Sequence, residues 1–381
     1  MDFSHNSLFI ELLQVSVGTR DMLSRVPSES EWETILEEAQ RQAVVGIMAS
    51  GVERLPAEQC PPRSNLLQWF GMMLQLEVRN GVTTRACVEL CEQLQRDGFS
   101  VCVLKGQANL RYYPKEMSIH RTCGDIDIWT TPSVAGKTVG NGVRQVIEYV
   151  RSNHKMTGLC WLHCNFRYKD DVPVEVHFHP SFFSEPRKNW RFQKHFSDIE
   201  KCSSMENVDG VELPVMCIDE DVIYQMNHIY RHLIDEGIGL KQIVDYFMLL
   251  RSWNRRHNRT KDDTMRIVSH LGMKRFAGAL MYVLQNVLGM SSEELLCPAS
   301  EVDGRFLMSE IMISGNFGKN DPRMEVIPPG GSYLRRRCKQ AWRRFKRNVR
   351  FFTSYPGEVF WEPIVRAGHY VWKVLKLWKL N

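Results

Sequence analysis

Near the middle of the chain, residues 123–130 read CGDIDIWT, with Asp125 and Asp127 alternating with Ile126 and Ile128. Period-two alternation is strand patterning, and it sends both aspartates to one face while the isoleucines take the other. Two like charges a few ångströms apart on a half-buried strand repel each other and lose hydration. A fold can keep such a pair by bringing something cationic to that face. A divalent metal is the most economical solution, since Mg²⁺ prefers carboxylate oxygens together with substrate phosphates. Two solvated aspartates on an exposed edge strand are the alternative, and the neighbouring segments decide between them.

Upstream, FSVCVLKG is a short apolar run ending at Lys105 and Gly106, a strand opening into a turn where a helix is about to begin. A glycine there lets backbone N–H groups approach a phosphate, and the new helix offers its positive end. Arg121 lies four residues before Asp125 and carries a planar fork suited to phosphate charge. Downstream, VPVEVHFH reads as another strand, with Glu175 placed to supply a third carboxylate. His177 and His179 share its face by alternation, and His177 is placed to orient a phosphate or an acceptor.

In this order, LKG, RTCGDIDIW and VEVH resemble the nucleotidyltransferase superfamily related to DNA polymerase β. More narrowly, LKGQANLRYYP, HRTCGDIDIW, VEVHFHP and HIYRHLIDEGIGLKQIVDYFMLL are similar to a poorly characterised bacterial nucleotidyltransferase-like family. The resemblance implies an α+β fold, a polymerase-β-like core of mixed sheet and flanking helices between N-terminal and C-terminal helical regions. It also implies that Asp125 and Asp127 hold Mg²⁺, or Mn²⁺ in its place, with Glu175 completing the metal site or acting as general base. Gly106 would cradle the triphosphate, with Lys105, Arg121, Gly124 and His177 as further nucleotide contacts. The substrate implied is an NTP, with ATP the expectation. Its NMP group would pass to a hydroxyl on a small molecule, a sugar phosphate, a protein or an RNA end. The chain departs from the superfamily after Gly106, where Gln107 stands instead of Gly or Ser. That departure keeps open a second class, a catalytically silent nucleotide-binding or scaffold protein of the same fold that docks to a membrane-associated assembly through its basic C-terminal tail.

Residues 1–97 read as helical. Ser30 and Glu33 form a capping-box pattern ahead of Trp32, Ile35, Leu36, Ala39 and Ala43, and a long helix is expected over 64–97, with Leu67, Trp69, Phe70, Met73 and Leu74 among its apolar positions. Within a core unit expected over 98–215, a helix capped at Ser133 is expected over 133–152. LCWLHCNFRY and VPVEVHFH are the next two strands. Residues 216–332 are expected to form a helical domain, helical through roughly residue 290 and looser beyond. Eleven cysteines form an odd set without a repeated framework, and no basic-apolar leader precedes them, which suits a reducing cytoplasm. No run reaches the roughly 18 apolar residues of a spanning helix.

Three other patterns carry less. AGKT at 135–138 lacks the first glycine of a phosphate-binding loop, which would fall on Thr131. His228 and His232 sit four apart on a helix without the glutamate a zinc protease needs, and either packing or, with Asp245, closure over a nucleotide suits them. Cys160, His163 and Cys164 do not make four tetrahedral ligands. The net charge of +5 is mild, but 333–381 read as a basic, aromatic-rich tail. From Arg335 to Arg350 there are nine basic residues and no acid, interleaved with Trp342 and Phe345; beyond, Trp372, Leu375 and Trp378 alternate with Lys373, Lys376 and Lys379. Such a segment suits peripheral contact at the inner face of a membrane, contact with nucleic acid, or simple packing.

Overall fold

The computed structural model describes residues 7–134, 137–138, 142–319, 321–323 and 333–379. Four helices precede the sheet: α1 (Ser7–Val17), α2 (Glu29–Arg41), α3 (Val45–Val52) and α4 (Arg63–Arg96). The start of α2 corrects the expected cap at Ser30. The segment holds two overlapping S-x-x-E pairs and the chain uses the first: Ser28 Oγ accepts the Glu31 N–H, and the Glu31 carboxylate accepts the Ser28 N–H at 2.8 Å. Arg25 favours this choice because its guanidinium also donates to Glu31, at 2.8 Å. Trp32, Ile35, Leu36 and Ala39 are buried, but Ala43 lies past the helix end with φ of 57°. In α4, Trp69 and Met73 are buried whereas Leu67, Phe70 and Leu74 face solvent.

The sheet begins with β1 (Phe99–Val103), which a 3₁₀ segment (Gly106–Tyr112) and the short α5 (Lys115–Ser118) link to β2 (Ile126–Val134). Then come β3 (Lys137–Thr138), α6 (Val143–Asn153), β4 (Met156–Leu159), β5 (His163–Tyr168), β6 (Val172–His177), α7 (Pro186–His195), α8 (Ile199–Cys202), β7 (Ser203–Val208) and β8 (Val211–Met216). Seven strands run in the order β4-β5-β6-β2-β1-β8-β7, with β3 paired to β2. The β2–β6 and β1–β8 pairs are parallel and the others antiparallel.

Three local expectations change here. Ser133 does not cap a helix; it lies in β2 opposite Thr138, and α6 begins at Val143. Lys137 and Thr138 belong to that hairpin, while the preceding Ala135 and Gly136 lie outside the described residues. LCWLHCNFRY is not one strand, because the chain turns at Cys160–Leu162, where the Cys160 N–H donates to His163 O at 2.9 Å. Nor does His179 share the face of Glu175, since β6 ends at His177 and His179 lines a separate cavity beside Trp129 and Phe178.

The sheet separates two cores. On one face Ile126, Ile128, Val174 and Val176 pack with Leu90 of α4 and Val146 of α6. On the other, Cys102, Trp129 and Met216 join a helical core. That core is completed by α9 (Ile218–Asp235), α10 (Leu240–Arg256), α11 (Lys261–His270), α12 (Lys274–Asn286) and α13 (Glu301–Ser314). α13 is a regular helix in the stretch expected to be looser. Because strand residues alternate faces, Asp127 points with Trp129 toward this helical side.

Two further helices, α14 (Tyr333–Phe352) and α15 (Pro356–Lys379), form a hairpin that packs on the same core through Phe351, Tyr355 and Val359. Arg347 is buried and closes the end of α9, donating to Ile234 O at 2.7 Å, to Glu236 O at 3.0 Å and to Leu233 O. These carbonyls lack helical partners, so the arginine acts as a C-terminal cap. Trp372 packs against the sheet core; the side chains of Leu375, Lys376, Trp378 and Lys379 lie outside the described residues. Among the described residues no helix is long and apolar enough to cross a membrane.

Candidate active site

β1 delivers Lys105 to the end of the sheet, and the chain turns there through Gly106 at φ of 61°. A side chain would be strained in that conformation, and an added Cβ would lie 3.2 Å from the Asp125 carbonyl. The turn therefore packs directly against the backbone that carries the aspartates. Gln107, which departs from the superfamily, points inward: its side chain is fully buried and does not reach the cleft.

Parallel pairing of β2 with β6 sets Asp127 opposite Glu175, and Trp129 opposite His177. Asp127 is fully buried, and its Oδ1 lies 3.2 Å from Lys105 Nζ and 3.1 Å from His177 Nε2. Its other oxygen, Oδ2, is buried with no hydrogen-bond partner. Ligand atoms of Asp127, Glu175 and His177 all lie within 4.8 Å of one another, an arrangement able to hold a metal ion. Asp125 immediately precedes β2 and lines the mouth of the same cleft, outside that trio.

The two aspartates titrate in opposite directions. The negative charge of Asp127, followed by burial, raises the pKa of Asp125. Burial pushes Asp127 up as well, but the Lys105 ammonium and His177 outweigh it and hold Asp127 well below the usual carboxylate range. Burial likewise opposes ionisation of Glu175, yet its contact with His177 draws it down. Burial would lower His177, but its contacts with Asp127 and Glu175 raise it.

β5 adds residues that the sequence reading did not connect to the site. His163 Nε2 is 3.7 Å from Glu175 Oε2, its ring centroid is 4.9 Å from that of His177, and its Nδ1 contacts Asn165 Oδ1 at 2.7 Å. Asn165 donates in turn to Glu175 Oε1 at 3.1 Å. His163 and Asn165 share a strand face, while Cys164 on the other face is a buried core residue. The i,i+2 pattern of H-x-N was the available signal.

The opposite wall comes from α9 and α10. Gln225, His228, Lys241, Gln242 and Asp245 line a cleft of about 310 Å³ together with the aspartates and the glycine turn. Burial and the nearby Lys105 charge push His228 well below its ordinary value. Arg121, expected as a phosphate contact, reaches this cleft but is almost wholly buried, with its guanidinium held by both oxygens of Asp245 at 2.6 Å. It also donates to Gly106 O at 3.1 Å, and Tyr113 donates to Asp245 at 2.6 Å. Arg121 thus ties the glycine turn to α10. Gly124 lies at the rim, its carbonyl accepting from Arg79 at 3.3 Å. Lys241 and Lys319 also line the cleft and were missed by sequence reasoning, although Lys241 stands four residues before Asp245 on one helix face.

A glycine turn, a buried strand carboxylate and a partner acid on the adjacent strand, all facing one cleft, agree with the family relationship of the chain. The model of a family described as an uncharacterised nucleotidyltransferase matches residues 28–289, and the chain belongs to that family. Among solved structures it is similar to an antigenic nucleotidyltransferase-like protein from Paracoccidioides brasiliensis, at 14% identity and a TM-score of 0.31, covering 54% of this chain and 91% of that one. A search of curated proteins finds no significant match.

Proposed function

We propose that the protein is a metal-dependent nucleotidyltransferase that transfers the NMP group of an NTP, ATP for preference, to a hydroxyl-bearing acceptor. The observation that carries this reading is the unpartnered, buried Oδ2 of Asp127 in a trio with Glu175 and His177. A buried carboxylate oxygen without a donor is costly, and a cation would satisfy it. The carboxylates suit Mg²⁺ or Mn²⁺, and an imidazole beside them favours Mn²⁺ over the harder Mg²⁺. Bound at Asp127, Glu175 and His177, with Asp125 at the mouth, the ion would neutralise charge on the carboxylates and on the transferred phosphate.

The chain's own residues supply the rest. The Gly106 turn, with Lys105 and Lys241 beside it, binds the triphosphate, and Gly124 bounds its position at the rim. Arg121 holds the turn in place from behind. Glu175, oriented by Asn165, takes the proton of the acceptor hydroxyl at the carboxylate oxygen that the ion would leave free. The acceptor oxygen then bonds to the α-phosphorus, the α–β bridging P–O bond breaks, and pyrophosphate carries away the electron pair. Sugar phosphates, small antibiotic-like molecules, protein side chains and RNA ends all present a suitable hydroxyl.

Incubation with α-phosphate-labelled NTPs, Mg²⁺ or Mn²⁺ and fractionated cell extract tests the proposal, with Asp127→Asn and Asp125→Asn alongside. Label should pass to one fraction with the native protein alone. Transfer by a folded Asp127→Asn variant would refute it. One observation favours a second reading, nucleotide binding without turnover: Gln107 turns inward where the superfamily places Gly or Ser. Nucleotide binding without label transfer to any fraction would select that reading.

A further inference from the structure

We propose that the outer face of the α14–α15 hairpin docks on an anionic lipid bilayer. On α14, Arg347 and Phe351 point into the protein, and the helical repeat sends Trp342, Phe345, Val349 and Phe352 the opposite way, each more than half exposed. α15 repeats the arrangement: Glu358, Val359 and Glu362 are buried, while Phe360, Ile364 and Val371 are 60%, 49% and 55% exposed on the far side. Two adjoining helices of one hairpin thus each turn an apolar stripe to solvent. Exposed apolar side chains aligned along two adjoining helices, rather than scattered singly, mark an interaction surface.

The charges say what covers it. Residues 333–379 hold thirteen of the 49 lysines and arginines but two of the 44 acidic residues, so the rest of the chain is net negative. The two acids are Glu358 and Glu362, both turned inward. Arg347, Arg350 and Arg366 turn inward, to the end of α9, to Glu310 and to Asp235, whereas Lys346 lies exposed beside the outer stripe, 5.6 Å from the Trp342 ring centroid, and among the described residues no carboxylate pairs with it. A second copy of this face would be repelled. A nucleic acid would use the arginines and the aromatic rings, but Val349, Ile364 and Val371 have no π face for a base. Aliphatic and aromatic side chains between cations match an acyl boundary beneath anionic headgroups, where a surface helix sinks its apolar face by roughly 5–10 Å. Among the described residues neither helix is long and apolar enough to cross a bilayer, so both would lie along its surface.

The full-length protein would be mixed with phosphatidylcholine vesicles containing about a third phosphatidylglycerol, a composition that supplies the negative surface potential. Pure phosphatidylcholine vesicles serve as the neutral comparison, and binding is read by flotation. Binding to the anionic vesicles that weakens with salt, and little to the neutral ones, is expected. Phe345→Ser/Phe352→Ser should weaken it about 10-fold or more with an unchanged melting temperature, because both rings are exposed. Lys339→Gln/Lys346→Gln should weaken it at low salt and much less at high salt. The proposal is overturned if the native protein fails to float with anionic vesicles, or if the double Phe variant floats equally well. It is equally overturned if light scattering shows a dimer that the Phe variant dissolves, or if polyuridylate is bound through the same aromatics while vesicles are not.

Discussion

Glu358 gives the chain a pH-dependent stability that a single substitution should remove. Its carboxylate is buried at the start of α15; Oε2 accepts the Ser184 N–H at 2.7 Å and the Glu185 N–H at 3.4 Å, and Oε1 lies 3.5 Å from Lys188 Nζ. Lys188 is shared with Glu185 at 2.9 Å, and the buried Tyr230 offers no positive charge. Burial outweighs these partners and pushes the Glu358 pKa up to about 7 from 4.5. The folded state therefore favours the protonated carboxyl. That stability is fully present below about pH 4.5 and is lost as the pH rises through about 7. The shift corresponds to about 3 kcal/mol, of which roughly 2.5 falls between pH 5 and 8. With an unfolding entropy near 2.1 cal/mol/K per residue, this is a loss of about 3 °C in melting temperature. Glu358→Gln keeps an acceptor for both backbone donors and cannot ionise. Calorimetric melts of both proteins across this range isolate the effect, because every other group titrates in each. The difference between the two curves should grow by about 3 °C toward pH 8. Parallel curves would refute the argument that burial governs this carboxyl.

Asp245→Asn should cost about 3–5 kcal/mol in urea unfolding, because it leaves the Arg121 guanidinium buried without its counter-charge, and Arg121→Met/Asp245→Leu should recover most of that loss. Gly106→Ala, with φ of 61° and a Cβ 3.2 Å from the Asp125 carbonyl, should cost about 1–2 kcal/mol, and calorimetric titration should show weaker ATP binding as Asp125 shifts. Arg347→Met, which frees the carbonyls at the end of α9, should cost about 2–4 kcal/mol and speed amide exchange in residues 233–237 ahead of global unfolding.

The site was legible where its signal is local. LKG, DID and VEVH each place chemistry by strand alternation or by one turn glycine, and register then brings Asp127 beside Glu175. Partners distant in sequence were not legible. Arg121 reads as a free phosphate contact until Asp245, on a helix of another region, claims both sides of its fork. His163 joined the site only because β5 pairs with β6 in a register that sets it opposite His177. Competing local signals misled elsewhere. Ser28 and Ser30 offer the same cap, and Arg25 breaks the tie. Ser133 can start a helix, but the β2–β3 pairing takes it first. In α4 the periodicity marks apolar positions without saying which meet the core, so Leu67 and Leu74 read like Trp69 and Met73 yet lie outside.

The paired aspartates feel the Lys105 charge in common, but the rest of their surroundings differ. Asp127 lies deep on the face that Trp129 and His177 also occupy, where Lys105 and His177 stabilise its charge against desolvation. Asp125, one residue ahead of the strand, meets the repulsion of its neighbour at the cleft mouth and shifts upward. Opposed environments of this kind separate two titratable groups on one strand into different protonation behaviour. The separation depends on Lys105, whose position depends on the Gly106 turn, which Arg121 fixes through its carbonyl and anchors to α10 through Asp245. The helical wall is therefore part of the electrostatics of the strand. A core unit cut away from α9 and α10 would keep the D-x-D sequence and lose the ion pair that holds its glycine turn in place.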